Sequence, residues 1–306
     1  MKLTIDKASL LAGLQSVQNV VSVRSTLPIL SNALLSAEEG GLVISATDLE
    51  VSVRSKVAGE IAKEGSTTIP VRRLSSIVRE LPESTVELDV DEKDQASVTC
   101  GSSFFKIVGM AGEEFPPMPE ADEGSFCYHL DQGVFREMLK KTSYAASTDE
   151  TRYVLNGVLL SFKEGKLTMV ATDGRRLALV ESEVEFPAEA ETNMILPSKA
   201  VNELQHVLAD EGDLRIFAKD NQIIFEFGDI MVASKLIDGT YPNFRQVIPA
   251  QCEERVTVER EALLTALKRA SLITADKASA TKLTFENNNL VILTSTPDAF
   301  FANIAY

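Results

Sequence analysis

Histidine and cysteine are scarce: the 306 residues hold two histidines and three cysteines. Cys100, Cys127 and Cys252 are odd in number, far apart and in no metal-ligand spacing. That excludes a disulfide framework and a zinc site, and the three read as reduced, small apolar residues. His129 and His206 each fall in an otherwise regular apolar pattern, which fits structural positions better than ligand positions. No metal and no cofactor are expected. No segment approaches the roughly 18 continuous apolar residues that cross a bilayer. The N-terminus carries Asp6 where a signal peptide has its apolar stretch. A cytoplasmic protein with no membrane partner is therefore expected.

Enzyme signatures are missing as well. The chain has no Gly-rich loop ending in Lys-Ser or Lys-Thr, no His-Glu-x-x-His and no Gly-x-Ser-x-Gly. The run Asp89-Val90-Asp91-Glu92-Lys93-Asp94 lacks the turn glycine and closing glutamate of a calcium loop. Strand alternation leading into a turn explains it better. A non-catalytic protein is expected, and a metal-dependent hydrolase built on scattered Asp and Ser residues is the last reading. Net charge is −15, which taken alone argues against nucleic acid, because phosphates need facing Lys and Arg.

What is present is a repeat. Val170-Ala171-Thr172-Asp173-Gly174-Arg175-Arg176-Leu177-Ala178 has a near-copy in Ile44-Ser45-Ala46-Thr47-Asp48-Leu49-Glu50-Val51 and a weaker one in Ile292-Leu293-Thr294-Ser295-Thr296-Pro297-Asp298. Asp48, Asp173 and Asp298 are evenly spaced at 125 residues (173 − 48 and 298 − 173). Solenoid units run roughly 20 to 50 residues, so this interval is the size of a domain. Three copies of one domain are expected, at residues 1–122, 123–249 and 250–306, the third incomplete.

Each copy opens with a short strand and an acidic N-cap: Asp6, Asp131 and Glu259. Leu10 and Leu14, Phe135 and Leu139, and Leu263 and Leu267 follow four and eight residues later, giving one apolar helix face. Strands are expected at 30–35, 41–47, 50–57, 67–70, 85–90, 96–100 and 104–108, then at 158–162, 167–172, 176–184, 213–217, 222–227 and 231–236. Second helices open at Pro70 and Pro197, a favoured place for proline. The third copy gives strands at 256–258, 280–286 and 290–295, and its likeness to the others stops after Asp298, before a second helix. The pattern predicts an α+β fold of repeated domains with helices on one face of antiparallel sheets.

Charge is segregated along this pattern. Lys7, Arg24, Arg72, Arg73, Arg79, Arg136, Lys140, Lys141, Lys199, Arg260, Lys268 and Arg269 fall on helix polar faces, while acids concentrate at 83–94, 181–191 and 210–213. Distribution matters more than the sum, so DNA against the helices stays open beside the plainer reading of solvated helix faces.

Thr26-Leu27-Pro28-Ile29-Leu30 with Asn32, Ala46-Thr47-Asp48-Leu49-Glu50, Thr151-Arg152-Tyr153-Val154-Leu155-Asn156-Gly157, Ala171-Thr172-Asp173-Gly174-Arg175-Arg176-Leu177-Ala178 and Tyr241-Pro242 occur in this order. Together they resemble the bacterial DNA sliding clamp, the β subunit of DNA polymerase III, over about residues 1–298. The resemblance implies a DNA-clamp fold and a head-to-tail homodimer ring. Helices would line its hole, a continuous sheet would form its outside, and it would slide on double-stranded DNA without reading sequence. It implies that Arg24, Arg73, Tyr153 and Lys199 lie near DNA, although Tyr153 could equally pack inward.

It also implies a peptide-binding pocket for Gln-Leu-x-Leu-Phe-like motifs of DNA polymerase, clamp loader and repair proteins. The matching residues are Leu155, Thr172, Gly174, Arg175, Arg176, Leu177, Pro242 and Val247. Apolar walls with a few polar groups suit such a peptide, and a plain hairpin turn also accounts for Thr172-Asp173-Gly174. Gln246 stands where the family often has a basic residue, and a Met-Pro-Met-like lining is absent. The ring interface would join Ile77, Leu81, Phe105 and Ile107 to Leu272 and Ile273 of a second copy. Because an incomplete domain leaves apolar surface unburied, a second reading remains: a monomeric, truncated clamp-like adaptor that binds partner peptides without encircling DNA.

Overall fold

In the computed structural model an acidic side chain turns a strand into a helix at three places. Asp6 accepts from the Ser9 amide at 2.9 Å, Asp131 from Val134 at 3.1 Å, and Glu259 from the amides of Glu261 and Ala262. These amides have no partner inside the helix, so each carboxylate fixes where the helix starts. The structure describes residues 1–21, 27–82, 84–121, 126–219, 221–250, 254–273, 280–286, 289–296 and 299–305. They form two compact units, Met1–Pro242 and Asn243–Tyr306.

The first unit holds two repeats. In the first, strand β1 (Lys2–Asp6) leads into helix α1 (Lys7–Val17) and strands β2 (Asn32–Glu38), β3 (Gly41–Thr47), β4 (Val51–Val57), β5 (Glu60–Lys63) and β6 (Gly65–Pro70). Helix α2 (Val71–Glu80) and strands β7 (Thr85–Val90), β8 (Gln95–Cys100), β9 (Ser103–Val108) and β10 (Met110–Ala111) complete it. The second repeat runs β11 (Phe126–Asp131), α3 (Gln132–Thr142), β12 (Gly157–Lys163), β13 (Lys166–Thr172), β14 (Leu177–Glu183), β15 (Thr192–Pro197), α4 (Ser198–Val207), β16 (Asp213–Lys219), β17 (Gln222–Phe227) and β18 (Ile230–Lys235).

Burial explains the helices. Leu10, Leu14 and Val17 of α1 and Phe135 and Leu139 of α3 are fully buried, so 3.6-residue periodicity turns one face to the core. On α2, Val71, Leu74 and Val78 are buried while Arg72, Arg73 and Arg79 are exposed. Helices pack in pairs, α1 with α2 and α3 with α4. Gly13 lets α1 approach β4: a Cβ there would lie 2.4 Å from the Val57 side chain.

The strands of each repeat divide between two sheets, all antiparallel. The first repeat gives the five-stranded order β5-β1-β7-β8-β9, and the second gives the four-stranded order β14-β13-β12-β15. The remaining strands of both form one nine-stranded sheet, β10-β6-β2-β3-β4-β18-β17-β16-β11. Its seam is the β4–β18 pairing, with Ser55 opposite Ile230, Val53 opposite Val232 and Val51 opposite Ser234. Backbone hydrogen bonds and core therefore run unbroken from one repeat to the next, which makes the two repeats one compact unit.

The second unit contains helix α5 (Arg260–Ser271) and the antiparallel strands β19 (Thr281–Glu286), β20 (Asn289–Thr296) and β21 (Ala299–Ala305). Among the described residues its core holds Ala266, Ala270, Leu290 and Ile292, with Leu263 packed against it.

The structure departs from the expected elements in several places. Residues 28–31 are a 3-10 turn, not strand, and β2 begins at Asn32; Pro28 opens that turn without an N–H to give a ladder. Strands β5 and β15 were not expected. β5 is a charged edge strand without apolar alternation, and β15 runs directly into the Pro197 that reads as a helix start. The expected strand at 256–258 does not form, and Val256 and Val258 are exposed. Its counterparts β1 and β11 pair with β7 and β16 from the second half of their own repeats, and no such strand is present in the second unit among the described residues. Conversely the likeness continues past Asp298: β21 pairs with β20 from Thr296 opposite Ala299 to Leu290 opposite Ala305, as β4 does with β3. Arg24, Cys252 and Asp298 lie outside the described residues.

Candidate functional site

The repeated Thr-Asp motif is a side-chain-built turn. In the β13–β14 hairpin, Asp173 Oδ1 accepts from the amides of Arg175 and Arg176 at 2.9 and 3.0 Å, and Oδ2 accepts from Arg176 Nε at 3.1 Å. The two backbone amides, with Arg176 adding to them, hold the Asp173 carboxyl below its usual range. Thr172 Oγ1 accepts from the Gly174 amide at 3.1 Å and donates to the Arg176 carbonyl at 2.7 Å. Gly174 has φ +83°, a conformation that glycine adopts without strain. Thr172, Gly174, Arg175, Arg176 and Leu177 are thus brought together on one rigid turn.

Neighbouring segments close on that turn. Leu155, buried, ends the 3-10 turn Glu150–Leu155 and accepts from the Ser147 amide at 2.9 Å. From the same turn Arg152 Nη1 donates to the Asp173 carbonyl at 3.2 Å. The Arg176 guanidinium lies 5.8 Å from the centre of the exposed Tyr144 ring, within cation–π range. The Tyr241 hydroxyl is buried beside the Thr172 backbone without a well-formed hydrogen bond, and burial pushes its phenol up to about 12. That places the exposed Pro242 next to the hairpin. Val247 belongs to the second unit, where it ends the 3-10 turn Phe244–Val247 and is 69% exposed. Sequence reading missed Tyr144, Arg152 and Tyr241 as contributors. Arg152 and Tyr241 sit inside motifs already singled out; Tyr144 carries no local signal.

The other sequence-predicted residues separate into exposed and occupied ones. Arg73 is exposed on α2, and Tyr153 is 59% exposed rather than packed inward. Lys199 is held: its ammonium pairs with the buried Asp48 carboxylate across the seam between repeats. Several basic helix residues are also committed. Lys7 is buried rather than displayed, Arg136 pairs with Asp210, and Lys140 and Lys141 both reach Glu137. His129 and His206 are exposed rather than part of an apolar face; one falls on the edge strand β11, the other on the polar side of α4. Cys100 is buried and Cys127 half-buried, both as free thiols.

Of the interface candidates, Leu81 and Ile107 are buried in this chain's own core, Ile77 is half-buried and Phe105 exposed. Strand β9, at the edge of its sheet, also exposes Phe104 and Val108, at 58% and 71%. In the second unit Leu272 is 84% exposed and Ile273 half-buried. A cavity of about 800 Å³ opens between α3 and β14, lined by none of the pocket candidates. Among the described residues no cluster of three or more His, Cys, Asp or Glu side chains is placed to hold a metal ion, and no helix is long and apolar enough to cross a membrane.

Comparison with known proteins agrees with this architecture. The N-terminal, central and C-terminal domains of the DNA polymerase III beta subunit family match residues 1–119, 129–243 and 245–300. The beta sliding clamp of Chlamydia muridarum is 34% identical over 292 residues, covering 95% of this chain and 80% of its own length. That of Caulobacter vibrioides is 36% identical over 299 residues, with the same coverage of 95% and 80%. The crystal structure of the Bartonella birtlesii sliding clamp bound to griselimycin superposes with a TM-score of 0.93 at 35% identity, covering 100% of this chain and 83% of that one. With its repeated helix pairs, its seamed sheet and these matches, the chain belongs to the bacterial β sliding clamps, the beta subunits of DNA polymerase III.

Proposed function

We propose that this chain acts as a processivity clamp: a head-to-tail homodimer ring that encircles double-stranded DNA. On this reading it tethers DNA polymerase, clamp-loader and repair proteins through short peptide motifs and catalyses no reaction itself. The observation that carries this reading is the β4–β18 seam. It joins successive repeats edge to edge, and the same joint repeated around a closed path makes a ring with helices on one side and sheet on the other. A ring is retained by topology, so its phosphate contacts can be weak, salt-sensitive and water-bridged.

Within this reading residues 1–122, 123–249 and 250–306 are the three clamp domains. Arg24, Arg73, Tyr153 and Lys199 face DNA. The hairpin residues Thr172, Gly174, Arg175, Arg176 and Leu177, with Leu155 and Pro242, receive the partner peptide. The exposed edge of β9, with Phe105 and the half-buried Ile77, meets Leu272 and Ile273 of a second copy, while Leu81 and Ile107 pack beneath that surface in this chain's own core. The chain works in the cytoplasm. The test is the solution mass by light scattering at low micromolar concentration. Twice the 33.3 kDa chain mass is expected, and a single-chain mass would remove the ring from the proposal. The pocket is tested separately by binding of griselimycin, the ligand of the Bartonella birtlesii clamp structure.

A further inference from the structure

Helix α4 begins with its first residue fixed. The Ser198 amide and hydroxyl both donate to the Asn156 carbonyl, at 2.9 and 2.7 Å. Lys199 follows, half-exposed, with its ammonium on the Asp48 carboxylate. Asp48 comes from the β3–β4 turn of the first repeat. Its Oδ1 accepts from the Glu50 and Val51 amides at 3.0 and 2.9 Å, as Asp173 Oδ1 does in its own turn. The second oxygens differ: Asp173 Oδ2 stays with Arg176 of its own hairpin, whereas Asp48 Oδ2 crosses to Lys199. One turn along α4 from Lys199, Glu203 is buried, and its Oε1 has no hydrogen-bond partner.

We infer that Asp48 and Glu203 are positioning residues for Lys199: Asp48 pairs with its ammonium at the seam between repeats, Glu203 lies buried one turn along the same helix, and the ammonium leaves both for a DNA phosphate as Glu203 takes a proton from solvent. This rests on the reading that Lys199 contacts DNA. The exchange follows from charge balance. With Glu203 ionised, two carboxylates lie near one ammonium, Asp48 in contact with it and Glu203 one turn along the helix. When the ammonium moves to phosphate, Glu203 keeps a buried carboxylate whose Oε1 has neither cation nor hydrogen bond, a costly state, and protonation relieves it. Burial already pushes the Glu203 carboxyl up to about 7, against the pull of Lys199. Burial also draws the Lys199 ammonium down. Helix α3 and strands β12 and β15 pack on α4 but bring no charge to bear on Glu203. Asp48 pairs with Lys199, and His206 is exposed on the same helix.

The test is binding of a fluorescein-labelled 24-base-pair duplex, by anisotropy at constant salt, at pH 6 and pH 8. Wild type, Glu203→Gln and Lys199→Ala are compared. Wild type is expected to lose about threefold to tenfold in affinity from pH 6 to pH 8. Glu203→Gln, which keeps every histidine, is expected to lose markedly less, and Lys199→Ala to bind weakly at both. A Glu203→Gln pH dependence equal to wild type, with Lys199→Ala still weak, overturns the positioning role alone. Lys199→Ala binding as wild type, or no duplex binding by wild type at pH 6, overturns the DNA contact and the inference together.

Discussion

The same helix appears in three repeats, and its four-and-eight apolar stripe is fully buried in only two. Leu10 and Leu14 of α1, and Phe135 and Leu139 of α3, are fully buried, whereas on α5 Leu263 is half-buried and Leu267 is 37% exposed. The spacing and the acidic cap are alike; the partners are not. In the complete repeats a second helix packs beside the first, and strands from the second half extend both sheets. Among the described residues the second unit offers α5 three strands, and the buried apolar side chains described there are Ala266, Ala270, Leu290 and Ile292. An apolar stripe therefore specifies a helix locally, while its stability comes from what lies against it.

Truncating the stripe is the sharpest way to break this comparison. Leu139→Ala in the second repeat is expected to cost about 2–5 kcal/mol, the range for emptying a packed site. Leu267→Ala is expected to cost less than about 1 kcal/mol, as for a surface change. Urea denaturation followed by circular dichroism reads both. Equal losses would mean that in solution α5 is covered as completely as α3.

A second, smaller effect separates the two complete repeats through pH. Glu203 has its carboxyl raised from 4.5 to about 7 by burial, so the folded state prefers it neutral. For a raised acid, the stabilising contribution is fully present below pH 4.5 and is lost as pH rises to about 7; above that the penalty is constant. Glu203→Gln removes the ionisation and is expected to be more stable than wild type above pH 7, by about 2 kcal/mol. The two should converge at pH 4.5. Thermal melts across that range check it, and a gap that does not depend on pH would assign the effect to packing.

Local chemistry was legible in the sequence, and pairing between distant segments was not. The caps Asp6, Asp131 and Glu259, the buried stripes of α1 to α4 and the hairpin at Thr172-Asp173-Gly174 follow from short spacings that physics constrains strongly. The β4–β18 seam joins residues far apart in the chain, and nothing in Val51-Ser52-Val53 names its partner. The empty strand at 256–258 shows the converse: alternation proposes a strand, but only a neighbour supplying hydrogen bonds makes one. At the site, the hairpin that brings the proposed pocket residues Thr172 to Leu177 together was legible because the repeat and the family motif mark it. The hold on Lys199 was not, because Asp48 looks like a turn residue until the fold sets its second oxygen beside another repeat's helix.

The smallest expected effect compares one turn position in the two repeats. Gly174 at φ +83° and Leu49 at φ +76° occupy equivalent places after the repeated aspartate. A side chain in this conformation crowds the following carbonyl, at a cost of about 1–2 kcal/mol per residue. The first repeat tolerates that strain because Thr47 and Asp48 overdetermine the turn. The Leu49 amide donates to Thr47 Oγ1 at 3.0 Å, and Asp48 Oδ1 takes the next two amides. Leu49→Gly is therefore expected to relieve strain, offset in part by a more flexible unfolded chain, with a net gain of less than about 1 kcal/mol. Gly174→Ala runs the other way and adds a contact, since a Cβ there lies 3.2 Å from Arg152 Nη1. It is expected to cost about 1 kcal/mol and to loosen the Arg152 bond to the Asp173 carbonyl. Griselimycin affinity should fall in Gly174→Ala and stay unchanged in Leu49→Gly, because only the second repeat's turn faces the proposed pocket. Equal affinity losses would mean that both hairpins bind, and the distinction drawn between the two repeats would have to be abandoned.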